Sequence, residues 1–330
     1  MARENKKEFA NNTVRIVGVL KENNLEHITD YAGKNVIRGS VIVATSKMNA
    51  HKVQFYVSEY TQQGKESSAY TALKEMLPNN TRTIASLLKD DPDLKYEDAF
   101  EKATKVWVLG KLDEYAYRTG ERVSSMLTIK GITMGASTKE NEDNFAEFSV
   151  DIYIGKIEPE VDENDKETGR LCVTGYVGKY DKSVDIIEFV AVQENNVAKY
   201  IASNYKVGDC VNLYGDLINL QERVQISSDE PKDEGSYFGK RMQDEPSNVT
   251  YETRFIHELR ITGGSKTPYK KDEVGYLTAE QVKMGLATRE IKMDKNGARK
   301  NNNTAPSASS QSKPIVRKTT NTSTDSDIDF

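Results

Sequence analysis

The sequence has few of the residues that build covalent or metal-bound scaffolds. Its 330 residues include two cysteines, three histidines and one tryptophan. Two cysteines cannot make a disulfide framework or a four-cysteine zinc site, and the scattered histidines have no cysteine or carboxylate at ligand spacing. No run approaches the ~20 apolar residues of a membrane helix, and no apolar stretch follows the charged N-terminus as in a secretory signal. We therefore expect a reduced, cytoplasmic protein (in the host cytoplasm if the source is viral) that needs no metal or cofactor and contacts no membrane.

The motifs of common nucleotide-dependent enzymes are also absent. A ligase-type Lys-x-Asp-Gly would need glycine after Lys292-Met-Asp294, and Lys295 stands there instead. No glycine-rich phosphate loop ends in Gly-Lys-Ser or Gly-Lys-Thr, and no Ser/His/Asp arrangement can be placed. We expect a protein that is not an enzyme.

The charge of the chain is unevenly distributed, although its formal total is only -5. Residues 1–141 carry a net charge of +3, residues 142–265 carry -12, and residues 266–330 carry +4. Such asymmetry indicates different partners for different parts of a chain. The acidic middle is an unfavourable surface for a nucleic-acid backbone, because like charges repel.

Short strands interrupted by one helical stretch are the pattern of the first 141 residues. The strand segments are rich in β-branched residues or alternate with period two, and residues 66–104 have helical spacing. The predicted strands are 13–20, 36–44, 53–60, 106–112 and 123–132. A turn-rich stretch that includes Asn23 and Asn24 separates the first two.

The second segment repeats this order, with a short amphipathic helix before its last two strands. Val108-Leu-Gly-Lys-Leu112 matches Leu213-Tyr-Gly-Asp-Leu217 in its glycine and final leucine, which indicates a weak internal repeat. Five strands with a helix between the third and fourth resemble the OB-fold, a small Greek-key barrel. The sequence therefore predicts a mainly β protein of two tandem OB-fold five-stranded barrels, with a helical insertion in the first.

The expected domains follow from this repeat and from the composition of the chain end. They are OB-fold 1 at 10–141 with its helical insertion 66–104, an acidic OB-fold 2 at 142–265 with an insertion at 223–250, a linker at 266–294 that can hold a short helix, and a disordered tail at 295–330 with an acidic tip at 325–330.

The tail ends in an acidic and aromatic motif. From about Lys295 the composition is polar, and such a segment cannot bury enough apolar surface to fold. Its tip can fill a pocket with an aromatic ring while carboxylates meet Arg or Lys on the rim. The residues predicted to dock a partner are Asp325, Asp327, Ile328, Asp329 and Phe330. The alternative is an ordinary acidic chain end.

Together, these features resemble the bacterial and phage single-stranded DNA-binding protein family, whose Asp-rich, Phe-terminated tip docks replication and repair partners. The resemblance implies a protein that coats and protects single-stranded DNA in replication, recombination or repair. It also implies recruitment of replication or recombination proteins through the tip. One departure is Asp329, because the family usually has proline before the terminal Phe, and this implies a differently shaped docking pocket.

Binding of single strands needs aromatic faces for bases and Arg or Lys for phosphates. OB-folds place these groups on strands 2 and 3 and on the loops that join strands 1–2 and 4–5. Alternation points the candidates on the second, third and fourth strands outward, and His27 joins the candidates of the first loop. Trp107 can equally pack under the helical insertion. The predicted DNA-binding residues are Tyr31, Lys34, Arg38, Tyr56, Tyr60, Trp107, Lys111, Tyr115, Tyr117, Arg118 and Arg122.

The second barrel offers fewer such groups. Its corresponding surface holds Arg170 and Tyr176, but also Asp185 and Glu188. We expect it to bind DNA weakly or to contact subunits or partners. The alternative function is a structural or assembly protein, such as a virion component, that uses OB barrels as interaction modules. The choice between DNA and RNA stays open, as does assembly into a homo-oligomer.

Overall fold

The computed structural model describes residues 10–137, 143–162, 165–226 and 250–302. Within these ranges the chain forms ten strands and five α-helices, so it is mainly β, as predicted. The first group comprises β1 (Asn12–Thr29), β2 (Asn35–Ala44), β3 (Ala50–Ser58), α1 (Ser68–Glu75), α2 (Ile84–Asp90), α3 (Tyr96–Lys102), β4 (Lys105–Thr119) and β5 (Arg122–Ala136). The second comprises β6 (Phe145–Val161), β7 (Glu167–Gly178), β8 (Val184–Ala191), α4 (Val197–Asn204), β9 (Cys210–Ile226), β10 (Thr250–Gly264) and the terminal α5 (Ala279–Asn302).

Each group of five strands closes on itself. The pairing runs β1–β2–β3–β5–β4 and returns to β1, with β3 and β5 parallel. The second circuit runs β6–β7–β8–β10–β9 and returns to β6, with β8 and β10 parallel. The helical connection follows the third strand in both circuits. The predicted OB-type fold is confirmed, and we call the two circuits barrel 1 and barrel 2.

Strand β1 is longer than the predicted strand 13–20. Asn23 and Asn24, predicted to lie in a turn, pair with Val41 and Ser40 of β2. The register of β1 shifts after Leu20, and such a bulge bends a strand. The first part of β1 can then pair with β4 while the second part closes the barrel against β2. Closure of the barrel outweighs the turn preference of the two asparagines.

The internal repeat corresponds to equivalent strands, β4 and β9. Gly110 and Gly215 occupy matching places in them, where neighbouring backbone comes close. A Cβ atom on Gly110 would lie 2.8 Å from the Lys130 carbonyl oxygen, and one on Gly215 would collide with the Arg260 carbonyl. Glycine at these positions permits the tight packing of a small closed barrel.

The helical insertion packs against barrel 1. Tyr70 and Leu73 of α1 are buried in the main core. Helices α2 and α3 form a smaller apolar cluster that covers Val19 and Ala44. The side chain of Thr83 caps α2, because its hydroxyl accepts a hydrogen bond from the Ser86 N–H at 3.0 Å.

The two barrels are joined by strand pairing and by buried charges. β1 pairs with β6 in an antiparallel manner, which merges the barrels into one ten-stranded sheet. Lys179 of barrel 2 reaches Asp113 of β4 at 2.8 Å and Asp185 at 2.9 Å. Desolvation opposes the charge of Asp113, but the ammonium groups of Lys130 and Lys179 lower its pKa overall. The Glu114 carboxylate accepts the Ile186 N–H at 3.0 Å.

The segment expected to be a linker is ordered along barrel 2. Tyr269 donates its hydroxyl to the buried Asp151 at 2.8 Å, and the Leu277 N–H contacts the Cys210 sulfur at 3.2 Å. Burial raises the pKa of the Cys210 thiol, which therefore stays protonated at neutral pH. Thr278 and Gln281 then exchange hydrogen bonds and begin α5.

Helix α5 is 24 residues long and ends at Asn302, whereas the sequence predicted a short helix and a tail from residue 295. Tertiary contacts explain the difference. Arg289 makes a bidentate ion pair with Glu114 at 2.5 and 2.8 Å, and the Asn296 amide donates to the Ala116 carbonyl at 2.9 Å. Packing on β4 stabilises a helix whose isolated sequence is polar. No helix of the described residues is long and apolar enough to cross a membrane.

Candidate nucleic-acid interface

The outer face of β1, β2 and β3 brings together two predicted DNA-binding residues. Arg38 of β2 is the direct cross-strand partner of Tyr56 of β3, and Glu26 of β1 lies on the other side of Arg38. Both predicted side chains point outward, and Tyr56 is 64% exposed. The alternation predicted from the sequence, with Val53 and Phe55 inward, is confirmed. A cation and an aromatic face therefore lie side by side.

A shallow groove of about 440 Å³ runs beside this pair. Asn24, Ser40 and Gln54 form the next cross-strand row, and Lys52 lies beyond them on β3. The residues that line the groove are Asn24, Glu26, Arg38, Gly39, Ser40, Lys52, Gln54 and Phe55.

The charge of Arg38 remains accessible. Its guanidinium lies 3.7 Å from the Glu26 carboxylate, and both side chains are more than half exposed. An exposed ion pair at this distance contributes about 0–1 kcal/mol. A phosphate can therefore take the place of Glu26 at little cost.

The row of Asn24, Ser40 and Gln54 continues around barrel 1 toward Lys111, another predicted DNA-binding residue. Gln54 pairs with Lys130 of β5, and Lys130 pairs with Lys111 of β4. Lys130 is half exposed and contacts Asp113 at 2.6 Å. Lys111 is exposed. The two lysines thus lie one and two strands beyond Gln54 of the groove, and Lys130 is engaged by Asp113.

The β4–β5 hairpin carries the predicted tyrosines. The sequence placed Tyr115 and Tyr117 in a loop, but they lie within β4, which continues to Thr119. Their ring centroids are 6.0 Å apart with the planes tilted by 41°. Tyr115 is exposed and pairs with Met126 of β5. The pair presents a small aromatic surface beyond Lys111 on the same strand.

Arg118 makes a contact with α5 that the sequence did not predict. Its guanidinium donates to Asp294 of α5 at 3.1 Å, so it ties the hairpin to the helix. This contact was missed because no local pattern indicates that α5 packs against β4. Arg122, at the start of β5, is exposed near the hairpin turn.

The turns flanking the groove hold three further predicted residues. Tyr31 and Lys34 are exposed in the turn between β1 and β2, and Tyr60 is exposed just after β3. His27, placed in the same loop by the sequence, instead lies within β1 and hydrogen-bonds the Tyr70 hydroxyl at 2.7 Å. His27 therefore fastens helix α1 to the barrel.

Trp107 lies away from this face. It lies on β4 four residues before Lys111, paired with Val17 of β1 and Gly135 of β5. Its ring covers Gly135 of β5, where an added Cβ would come within 2.9 Å of the indole nitrogen. The apolar cluster under the insertion is built by other residues. The structure therefore places Trp107 neither in the groove nor under the helices.

On the corresponding face of barrel 2, the positive charge of Arg170 is neutralised by carboxylates. Arg170 contacts Glu258 at 2.7 Å and Glu160 at 3.3 Å. Asp185 is buried in the contact with barrel 1, and Tyr176 packs over Gly155. Arg170 is therefore already engaged by two carboxylates, unlike Arg38.

Sequence reasoning missed several residues of the groove. Lys52 shares the outward parity of Tyr56, so alternation could have identified it. Lys130 could not be found in this way, because the parallel pairing of β5 with β3 is set only by barrel closure. Asn24 was assigned to a turn.

Two remaining expectations concern other kinds of site. Among the described residues, no group of three or more His, Cys, Asp or Glu side chains could hold a metal ion. The docking residues 325–330 and most of the insertion 223–250 lie outside the described ranges.

Comparison with known proteins gives a family match and more distant structural likenesses. Residues 10–299 match the model of a family described as YorF. The crystal structure of the wild-type single-stranded DNA binding protein from Thermus aquaticus is 12% identical, with a TM-score of 0.42, and the match covers 81% of this chain and 97% of that chain. A deletion mutant of the same protein gives 11% identity and a TM-score of 0.42, with coverage of 80% and 99%.

A replication protein A heterotrimer bound to single-stranded DNA is 7% identical, with a TM-score of 0.17, and the match covers 66% of this chain and 47% of that chain. No curated protein sequence matches the chain. At these TM-scores, the assignment of strands to barrels rests on the pairing within this chain.

Proposed function

This chain belongs to the YorF family, and from that premise we propose that it binds single-stranded DNA on the outer face of barrel 1. The observation that carries the proposal is the direct pairing of Arg38 with Tyr56 beside a polar groove. A tyrosine ring can stack on a base of any sequence, while arginine meets the adjacent phosphate. Lys52 and Lys111, both exposed, offer further phosphate contacts on the outer surface of barrel 1.

The proposed ligand is unpaired DNA because the aromatic side chains bind by stacking on bases. Stacking on Tyr56 or Tyr115 needs a base whose face is exposed, and the bases of a duplex already stack on one another. The rings of Tyr56 and Tyr115 stand on strands of a barrel rather than on a helix. The surface therefore suits a flexible polynucleotide.

We assign the chain a broader role on the same basis. It coats and protects single-stranded DNA during replication, recombination or repair in the cytoplasm, without acting as an enzyme. The tip at 325–330 recruits replication or recombination proteins, and barrel 2 serves subunit or partner contacts. Support comes from the resemblance of the sequence and from the charge difference between the two barrels.

The experiment is a titration of fluorescent oligo-dT of about 30 nucleotides, a length that exceeds the usual 4–16 nucleotides of one OB-fold. Affinity should fall steeply with salt, by about 0.7 log units per tenfold rise in salt for each phosphate contact. Duplex of the same length should bind more weakly, and oligo-U measures the preference over RNA. Binding to duplex as tight as to oligo-dT would refute the proposal, and failure to bind any of them would favour the assembly role.

A further inference from the structure

The β4–β5 hairpin extends beyond the barrel that carries it. Within the described ranges, β4 pairs with β1 only as far as Gly110, and β5 pairs with β3 only at Ile129 and Lys130. Residues 113–119 of β4 and 122–128 of β5 therefore pair only with each other, and we call them the ribbon. An isolated two-stranded hairpin is marginally stable at best in water. The ribbon therefore needs support from another part of the chain to hold its side chains in place.

Side chains from distant elements satisfy the edge of β4 that β1 leaves open. The Glu114 N–H donates to the Asp185 carboxylate of barrel 2 at 3.2 Å, and the Ala116 carbonyl accepts the Asn296 amide of α5 at 2.9 Å. Alternate residues of an antiparallel strand direct their backbone groups to the same edge, so both bonds lie on the edge opposite β5. Barrel 2 therefore covers the inner part of this edge, and α5 covers the outer part.

Helix α5 contacts the ribbon through ion pairs and through a close backbone approach. Arg289 binds Glu114 at 2.5 and 2.8 Å, and Arg118 donates to Asp294 at 3.1 Å. Gly297 is buried, and a Cβ atom there would collide with the Arg118 carbonyl oxygen. Glycine is unfavourable inside a helix, so its place here agrees with the need for the helix backbone to lie directly against β4.

The same helix is anchored on barrel 2. A Cβ atom on Gly285 would lie 2.6 Å from the Val184 side chain, so the helix packs closely at this point too. Lys292 donates to the Ser183 hydroxyl at 2.9 Å. Helix α5 therefore has a base on barrel 2 and holds the ribbon of barrel 1 with residues 289–297.

The ring of Tyr115 remains open to a ligand while α5 is in place. The side chains of Glu114 and Arg118 meet α5. Successive side chains of a strand point to opposite faces, so Tyr115 lies on the face of the ribbon away from these two contacts. Tyr115 is 41% exposed. A base can therefore reach the ring without touching the helix.

We propose that residues 289–297 of α5 are positioning residues of the DNA site, which hold the ribbon so that Tyr115 meets a base, without contacting DNA themselves. The proposal rests on the proposed function, since it states how that site is supported and regulated. The coupling is reciprocal: the docked helix favours DNA binding, and bound DNA favours the docked helix. Undocking of α5 is then a means to release the strand.

The test is Gly297→Leu in the full chain. Its side chain has no room against the Arg118 carbonyl, although leucine favours a helix over glycine. It should weaken binding of oligo-dT of about 30 nucleotides about tenfold, within the range of one lost base–aromatic stack. The matched control is Ala287→Leu, which adds the same side chain at an exposed position of α5 and should bind as the wild type does.

Double variants separate positioning of the ribbon from general damage to the fold. Combined with Tyr115→Ala, Gly297→Leu should cause no further loss, because both changes remove the same contact with DNA. Combined with Tyr56→Ala on β3, the two losses should multiply, because that ring does not depend on the ribbon. Wild-type affinity of Gly297→Leu, or losses that multiply with Tyr115→Ala, would overturn the proposal.

Hydrogen exchange of the wild-type chain tests the same coupling without a change in α5. Saturating oligo-dT should slow amide exchange at residues 289–297 about tenfold, the factor that reciprocity requires, and Tyr115→Ala should remove most of this effect. Exchange that is insensitive to oligo-dT would contradict the coupling. If Tyr56→Ala and Arg38→Ala weaken binding but Gly297→Leu does not, only the role of α5 fails. If the wild type does not bind oligo-dT, the proposed function fails first.

Discussion

Removal of the Tyr56 ring and the Arg38 charge beside the groove is the most direct perturbation of the proposed site. Tyr56→Ala and Arg38→Ala, alone and together, delete the pair that faces outward from β3 and β2. Both side chains are exposed, and Arg38 has only a 3.7 Å contact with Glu26 to lose. The free energy of unfolding should therefore change by no more than about 0.5–1 kcal/mol.

The expected loss of DNA affinity is larger and has two signatures. Tyr56→Ala should cost about 1–3 kcal/mol of binding free energy, the usual value of one stacked base. Arg38→Ala removes one phosphate contact, so the salt slope should fall in magnitude by about 0.7. Since the two residues are direct neighbours, their effects should not add fully in the double variant.

The assay is fluorescence anisotropy of labelled oligo-dT across a series of salt concentrations, with urea unfolding as the check on folding. Tyr180→Ala with Lys199→Ala is the matched control, because it removes one exposed ring and one exposed cation from barrel 2. The reasoning would be refuted by a folded double variant that binds as the wild type does. An unchanged salt slope in Arg38→Ala would show that this guanidinium meets no phosphate.

Three further predictions concern the contact between α5 and β4, the pH dependence of stability, and the tip at 325–330. Arg289→Met should lower the free energy of unfolding by about 3 kcal/mol, because it strands the buried Glu114 carboxylate, and Glu114→Gln in the same chain should restore part of it in urea titrations. Burial and the nearby His257 lower the pKa of His51 to about 4, below its unfolded value of 6.5. Stability should therefore be fully present above pH 6.5 and fall by about 3 kcal/mol as pH drops through 4. His51→Gln should flatten that step, and a step of unchanged size would assign it to other groups. Deletion of 325–330 should abolish capture of replication partners in pull-downs and leave or raise DNA affinity; a loss of DNA binding would contradict this division of roles.

The strand order could be predicted because it depends on local patterns. Period-two alternation in β3 and the matching glycines of β4 and β9 identified the repeated five-strand plan. Strand lengths could not be predicted, because β1 continues through Asn23 and Asn24 only when the closed barrel supplies β2 as a partner. The length of α5 depends likewise on Arg289 meeting Glu114 from a distant strand.

Residues of the candidate site could be predicted when alternation within one strand determines the direction of the side chain. They were missed when the pairing between strands determines their position. Arg38 and Tyr56 followed from alternation within their own strands. Lys130 lies beside Gln54 of the groove only because β5 pairs in parallel with β3. Arg118 was predicted to contact phosphate because of its charge. In the structure it binds Asp294 of α5, which lies 176 residues later in the chain.

The comparison of the two barrels shows why a shared fold does not imply a shared role. Both have the same strand order, yet Arg38 makes one exposed ion pair with Glu26 at 3.7 Å, whereas Arg170 is held by Glu258 at 2.7 Å and Glu160 at 3.3 Å. A guanidinium already bound by two carboxylates must break those contacts before it meets a phosphate, and the acidic surroundings oppose the phosphate itself. On the proposed function, the outer face of barrel 1 therefore meets the phosphates, because Arg170 of barrel 2 is already paired.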